Sequence, residues 1–213
     1  MISDDELLRL DEFGLLPENA EQAGIDTPLP AVHRLDLGGI SAIAWGQGPP
    51  EILFLHGGGQ NAHTWDTVIL GLGLPALAVD LPGHGRSAWR DDGDYGPKQN
   101  AETLRKVLRE LAPHPRLVVG MSLGGLTALR LAAVEPVLVP DLVLVDVTPS
   151  APERHEQMTK AQLGAVALVR GERSFPSFAA ILDEAVAASP QRNRESLRRG
   201  VFHNSRQLDD GTW

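Results

Sequence analysis

Short apolar runs alternate with amphipathic segments along the middle of the chain. Four runs are entirely apolar, at residues 52–55, 76–79, 117–119 and 142–145. The segments between them have helical spacing, most clearly over residues 98–111, where the leucines and a valine share one face. Apolar runs separated by helices are typical of βαβ units. The pattern therefore predicts an α/β fold with a mostly parallel sheet and helices on both faces.

The segment before these runs predicts a hairpin preceded by a helix and an arm. Residues 32–45 form two strand-like stretches around a Gly-Gly pair, which is a turn signal for an antiparallel hairpin. Ser3 and Glu6 have the spacing of a capping box, which predicts a short helix that ends near Gly14. The proline-containing stretch from there to Pro30 predicts an extended arm.

The pattern changes after residue 152, where apolar runs give way to helical spacing alone. Three helices are predicted there, over residues 153–170, 175–188 and 190–201. We therefore expect three parts: a core with the N-terminal arm and strands one to six over residues 1–152, a helical cap or lid over 153–205, and the start of a return to the core over 206–213.

Composition and charge narrow the functional classes. A length of 213 residues allows one domain, or one domain with a small appendage. The formal net charge of −9 disfavours nucleic acid and anionic membranes as partners. Cysteine is absent, so the chain has no thiol nucleophile and no thiolate metal ligand. The acidic start lacks the pattern of a secretory signal, and no apolar run is long enough to span a membrane, so we expect a cytoplasmic protein.

A Gly-x-Ser-x-Gly sequence carries the first chemical signal, with Ser122 at its centre. It lies where an apolar strand ends and a helix begins. A sharp turn there would strain the serine backbone and project its hydroxyl above the sheet edge, as in a nucleophile elbow. The alternative is a tight turn with an incidental serine.

A glycine cluster carries the second signal. His56 and three glycines follow the run at residues 52–55. Bare glycines let a backbone N–H point into a site, and acyl transfer needs two such donors for the tetrahedral oxyanion. The predicted pair is the N–H of Leu123 and the N–H of Gly58 or Gly59. The alternative, a phosphate-binding loop, lacks the Lys-Ser/Thr of a P-loop and the spacing of a dinucleotide site.

These motifs together resemble the alpha/beta-hydrolase fold family. The resemblance covers about residues 31–150 and rests on four motifs in order: His-Gly-Gly at residues 56–58, Asp-Leu-Pro-Gly-His-Gly-Arg-Ser at 80–87, Gly-x-Ser-x-Gly at 120–124 and Leu-Val-Asp-Val-Thr-Pro at 144–149. It implies a Ser-His-acid triad that hydrolyses an ester, thioester, amide or lactone bond without a metal or an organic cofactor. We expect a small carboxylic ester, or a related small acyl compound, as substrate.

The resemblance also suggests an acid. Most family members place the acid after the seventh strand, but a subset of small esterases uses the position after the sixth, which is Asp146 here. Such an acid would orient the histidine and stabilise its imidazolium. The alternative is an aspartate that caps the turn before Pro149. Trp65 and Met121, beside the two motifs, are predicted to line the substrate pocket.

The histidine of the triad is not assigned. The family places it after the eighth strand, whereas this sequence ends at Trp213 in what resembles the approach to the seventh strand. We therefore expect the last strands to be absent from the sequence. A C-terminal fragment or a second subunit could supply the histidine. The alternative function is a truncated, non-catalytic module that binds a small ligand or partner.

Overall fold

The fold comprises two compact units. A computed structural model describes residues 4–7, 9–26, 28–147 and 174–213. Pro30–Arg170 forms one unit, here called the sheet unit, and Met1–Leu29 with Gly171–Trp213 forms the other, the helical unit. The grouping of the N-terminal segment with the C-terminal helices was not indicated by the sequence pattern. The predicted helix over residues 153–170 lies outside the described residues.

A six-stranded sheet forms the centre of the sheet unit, in the order β1-β2-β4-β3-β5-β6. Its strands are β1 (Val32–Leu37), β2 (Ile40–Trp45), β3 (Ile52–Leu55), β4 (Ala76–Val79), β5 (Leu117–Met121) and β6 (Leu142–Val145). β1 pairs antiparallel with β2, and β2 pairs antiparallel with β4. The pairs β4–β3, β3–β5 and β5–β6 are parallel. The prediction of a mostly parallel α/β sheet is confirmed.

Seven α-helices occur among the described residues. They are α1 (Asp4–Leu7), α2 (Leu16–Gln22), α3 (Asp66–Leu72), α4 (Pro97–Leu111), α5 (Leu123–Val134), α6 (Phe178–Ala188) and α7 (Arg194–Asn204). Short 3-10 turns lie at Ala62–Trp65 and Pro136–Leu138. In this part of the chain, no helix combines the length and the apolar character that crossing a bilayer requires.

The core of the sheet unit lies between the sheet and its helices. All four residues of β3 and all four of β4 are buried, as their continuous apolar runs predict. Leu104 and Leu108 of α4 and Leu131 of α5 pack into the same cluster. This packing holds the carboxyl ends of the parallel strands at one edge.

The helical unit has its own core. Leu7 and Leu15 pack in one cluster with Phe178 and Leu182 of α6. The residues of α2 were predicted as part of an extended arm, and that prediction is wrong. Pro17 lies in the first turn of α2, where a missing N–H costs no hydrogen bond, so the proline starts the helix.

Candidate active site

Ser122 occupies a strained turn between β5 and α5. Its φ is 47° and its ψ is −112°. Among the described residues, only Ser122 and Asp146 are non-glycine residues with positive φ. Two backbone hydrogen bonds hold the turn: the Ser122 N–H donates to the Val145 carbonyl at 2.9 Å, and the Ser122 carbonyl accepts from the Leu126 N–H at 3.0 Å. The serine is half-buried rather than enclosed in the core.

The glycines around Ser122 permit the close approach of strand and helix. A Cβ on Gly120 would lie 2.7 Å from the Gly125 Cα. A Cβ on Gly124 would lie 2.5 Å from the carbonyl oxygen of His56. Real Cβ atoms do not approach backbone this closely, so the motif's glycines are required by packing.

The loop after β3 lies directly beside the serine. Leu55 of β3 pairs with Gly120 of β5, so the parallel register places Gly57 level with Ser122. A Cβ built on Gly57 would be 3.6 Å from the Ser122 Cβ. The structure thus brings together the serine and the glycine loop (residues 57–59) that the sequence singled out.

The two N–H groups predicted as oxyanion donors lie at this edge. Within the part of the chain that the structure describes, neither the Gly58 N–H nor the Leu123 N–H donates a hydrogen bond. Gly58 is exposed, and a Cβ there would meet open space. Leu123 is the first residue of α5, so its N–H belongs to the positive end of the helix dipole.

The glycine loop is held by two side chains. The Gly57 N–H donates to Oε1 of Gln60 at 2.9 Å. The His56 ring contacts the Gly57 carbonyl through Nδ1 at 2.7 Å and accepts the Leu81 N–H at Nε2 at 2.9 Å. His56 is fully buried, and this desolvation lowers its pKa from 6.5 to about 4. The role of Gln60 had no sequence signal, because a glutamine in a polar loop is ordinary.

Asp146 lies one residue beyond β6 at the same sheet edge. Met121 pairs with Val145, so the register places Asp146 level with Ser122. Its φ is 55°, and its side chain is exposed. The carboxylate makes no hydrogen bond to the described residues.

Trp65 and Met121 differ in exposure. Trp65 is only 6 % exposed, and its ring lies 5.1 Å from that of Phe54 in β3, so most of its surface packs in the core. Met121 ends β5 and is half-buried. Contact of either side chain with substrate stays a prediction.

Three of the described histidines make other contacts. Ser122 makes no side-chain hydrogen bond to the described residues, histidines included. Both ring nitrogens of His56 are occupied. Nδ1 of His84 contacts the Pro82 carbonyl at 3.0 Å, and Nδ1 of His63 contacts Asp66 at 2.8 Å. His155 lies outside the described residues.

Asp80 anchors the loop that follows β4. Its fully buried carboxylate pairs with Arg34 at 2.7 Å and accepts the Ala62 N–H at 2.7 Å and the Arg86 N–H at 3.0 Å. Three donors satisfy the buried charge, which ties β1, the segment after the glycine loop and the β4 loop together. These contacts give Asp80 a structural role.

The profile of the alpha/beta hydrolase family matches residues 52–212. The chain belongs to the alpha/beta hydrolase family. The match spans most of the sequence and includes both the glycine loop and the turn at Ser122. The predictions of this family, its fold and its class of enzyme are confirmed.

Two of the similar proteins are named as esterases. The chain is 68% identical over 213 residues to the esterase Rv0045c of Mycobacterium tuberculosis and covers 72% of that protein. A solved structure of that esterase has a TM-score of 0.88 and 68% identity, covering 96% of this chain and 71% of the other. A pimeloyl-[acyl-carrier protein] methyl ester esterase of Edwardsiella ictaluri is 37% identical over 115 residues, which are 52% of this chain and 42% of that protein.

A more distant structure supports the fold alone. E-2-(acetamidomethylene)succinate hydrolase has a TM-score of 0.68 at 24% identity, over 86% of this chain and 67% of the other.

Proposed function

We propose that this chain forms the nucleophile, acid and oxyanion-binding part of a serine esterase that hydrolyses small carboxylic esters. The observation that carries the proposal is the position of Ser122, which lies in a strained turn beside the glycine loop. The N–H groups of Gly58 and Leu123 lie at the same sheet edge and have no acceptor among the described residues. The esterase names of the similar proteins support the choice of an ester over other acyl compounds.

The proposed reaction proceeds through an acyl-enzyme. Ser122 Oγ attacks the ester carbonyl carbon, and its proton passes to a histidine. The carbonyl oxygen becomes an oxyanion that the N–H groups of Gly58 and Leu123 stabilise. The C–O bond to the alcohol then breaks, and the histidine protonates the leaving alkoxide. Water attacks the acyl-enzyme in the same way, which releases the acid and restores Ser122.

Asp146 is proposed as the acid that orients the histidine. Its exposed carboxylate lies level with Ser122 at the carboxyl end of the neighbouring strand. A carboxylate there would hold the imidazole tautomer and stabilise the imidazolium. We propose that a C-terminal segment or a second subunit supplies the histidine, because Ser122 makes no hydrogen bond to the histidines that the structure describes.

The proposed substrate is a small acyl compound that enters beside Met121. This residue is half-buried and immediately precedes the serine. Trp65 would contribute the edge of its ring, since most of that side chain packs on Phe54. An apolar wall with few polar groups suits an acyl chain.

The test is hydrolysis of p-nitrophenyl acetate by the complete natural protein and its Ser122→Ala variant. We expect the substitution to lower kcat by at least roughly 10³-fold while the melting temperature is kept. A fluorophosphonate probe should label the unsubstituted protein and not the variant. Equal rates, or the absence of both hydrolysis and labelling in the unsubstituted protein, would refute the proposal and favour the non-catalytic module.

A further inference from the structure

The peptide plane between Gly57 and Gly58 carries one of the two proposed oxyanion donors. A peptide unit is planar, and none of the described peptide bonds is cis, so the Gly58 N–H points away from the Gly57 carbonyl oxygen. Whatever fixes the direction of this carbonyl therefore also fixes the direction of the N–H. The contacts of Gly57 decide how well the donor is preorganised.

The His56 ring holds the carbonyl side of this plane. Nε2 accepts the Leu81 N–H at 2.9 Å, so that nitrogen carries no proton in the neutral ring. The proton is then on Nδ1, which donates to the Gly57 carbonyl at 2.7 Å. Because the ring is fully buried, it stays neutral and keeps this tautomer over the ordinary working range of pH.

Gln60 holds the preceding plane. Its Oε1 accepts the Gly57 N–H at 2.9 Å, and its own backbone N–H donates to the Gly57 carbonyl at 3.3 Å. Hydrogen bonds thus hold both the N–H and the carbonyl of Gly57, and they restrain both of its backbone dihedral angles. A glycine lacking these contacts would sample many conformations, and the Gly58 N–H would turn with it.

We propose that Gln60 is a positioning residue, which acts with His56 to aim the Gly58 N–H at the oxyanion formed on attack by Ser122. The inference rests on the proposed function. Gln60 acts through Gly57 and need not touch the substrate. Its contribution appears in the transition state, because a preorganised donor stabilises the oxyanion more than the neutral ester.

Three variants of the complete natural protein separate this role from a structural one. Gln60→Met keeps the length of the side chain and removes the acceptor. Gln60→Glu keeps an acceptor for the Gly57 N–H. Gln47→Met is the matched control, since Gln47 is also flanked by glycine, is exposed, and makes no hydrogen bond among the described residues.

The readouts are kcat and KM for p-nitrophenyl acetate, the melting temperature, and the hydrogen-exchange rate of the Gly57 amide by NMR. For Gln60→Met we expect kcat to fall roughly 10-fold to 100-fold, because one oxyanion donor is misaimed rather than removed. KM should stay within about twofold, since the ground state gains little from this donor. Gly57 exchange should accelerate in the Met variant and remain slow in the Glu variant, and Gln47→Met should change none of these.

Different results would contradict the positioning role of Gln60 and the proposed function. If Gln60→Met keeps the kcat of the unsubstituted protein while Ser122→Ala is inactive, only the positioning role is overturned. A lowered melting temperature with unchanged kcat overturns it as well, because that combination marks a purely structural residue. Fast Gly57 exchange in the Glu variant also contradicts the role. If Ser122→Ala is as active as the unsubstituted protein, the proposed function itself is wrong.

Discussion

Replacing Gly124 with alanine tests how tightly the turn at Ser122 is packed. The added Cβ would lie 2.5 Å from the His56 carbonyl oxygen and closer still to that of Leu55. Both atoms belong to backbone that the parallel β3–β5 pairing holds in place, so neither can move aside cheaply. Gly124→Ala should therefore destabilise the sheet unit.

The magnitude follows from two opposing effects. Gly124 lies in the first turn of α5, where alanine is favoured over glycine by up to about 1 kcal/mol. Overpacking against fixed neighbours typically costs about 1–3 kcal/mol, and contact with two carbonyl oxygens belongs at or above the upper end. We expect a net loss of about 2 kcal/mol, which for a chain of this size lowers the melting temperature by about 4–8 °C.

Gly200 in α7 provides the matched control. It is also a helical glycine, but a Cβ there meets nothing within 4 Å. Gly200→Ala should raise stability by about 0.5–1 kcal/mol, since only helix propensity changes. The same substitution in two helices is thus expected to have opposite signs.

The measurement is thermal and urea unfolding of both variants beside the unsubstituted protein, followed by circular dichroism. Hydrolysis of p-nitrophenyl acetate by Gly124→Ala should also fall, because the added methyl group displaces the β3 loop from Ser122. If Gly124→Ala proves as stable as Gly200→Ala, β3 does not pack closely against the turn, and packing does not require glycine there.

Three further predictions concern ionisable side chains. Asp146→Asn should lower kcat roughly 10⁴-fold without changing the melting temperature, and near-normal turnover would contradict its role. Burial lowers the pKa of His56 from 6.5 to about 4, so between these pH values the unfolded chain binds a proton on this ring that the folded chain does not. The free energy of unfolding should therefore drop by up to roughly 3 kcal/mol as the pH falls from 6.5 to about 4. In urea titrations at several pH values, His56→Asn should lack this part of the pH dependence. Arg34→Met leaves the Asp80 carboxylate buried without its cation and should lower the free energy of unfolding in urea by about 3–5 kcal/mol. Arg116→Met, which removes an exposed ion pair, should lower it by less than about 1 kcal/mol. Equal effects would contradict a buried, structural ion pair between Arg34 and Asp80.

The motifs at the sheet edge were predictable because each is local. Residues 52–55 and 76–79 are buried strands because every side chain in them is apolar. Ser122 lies in a strained turn because glycines flank it where a strand meets a helix. A parallel sheet brings the ends of its strands to one edge, so the serine, the glycine loop and Asp146 were expected together.

Contacts between distant residues were not predictable in this way. Arg34 and Asp80 are separated by 46 positions, and no periodicity connects them. Glu18 and Arg198, which pair at 2.6 Å in the helical unit, are separated by 180. The helix α2 was missed for a related reason. Its stability comes from Leu16 and Ala20, which are buried in the folded chain, whereas its sequence alone reads as a proline-containing arm.

The sequence alone determined the order of the strands and helices of the sheet unit, the turn that carries Ser122 and the family to which the chain belongs. These follow from short-range patterns, since the periodicity of apolar residues and the placement of glycines act over a few positions. Only the tertiary structure decided that Gln60 and His56 hold Gly57, that Asp80 is neutralised by Arg34, and that the N-terminal segment joins the C-terminal helices. Such contacts depend on which distant side chains the folded backbone brings within hydrogen-bond range, and no local pattern records that.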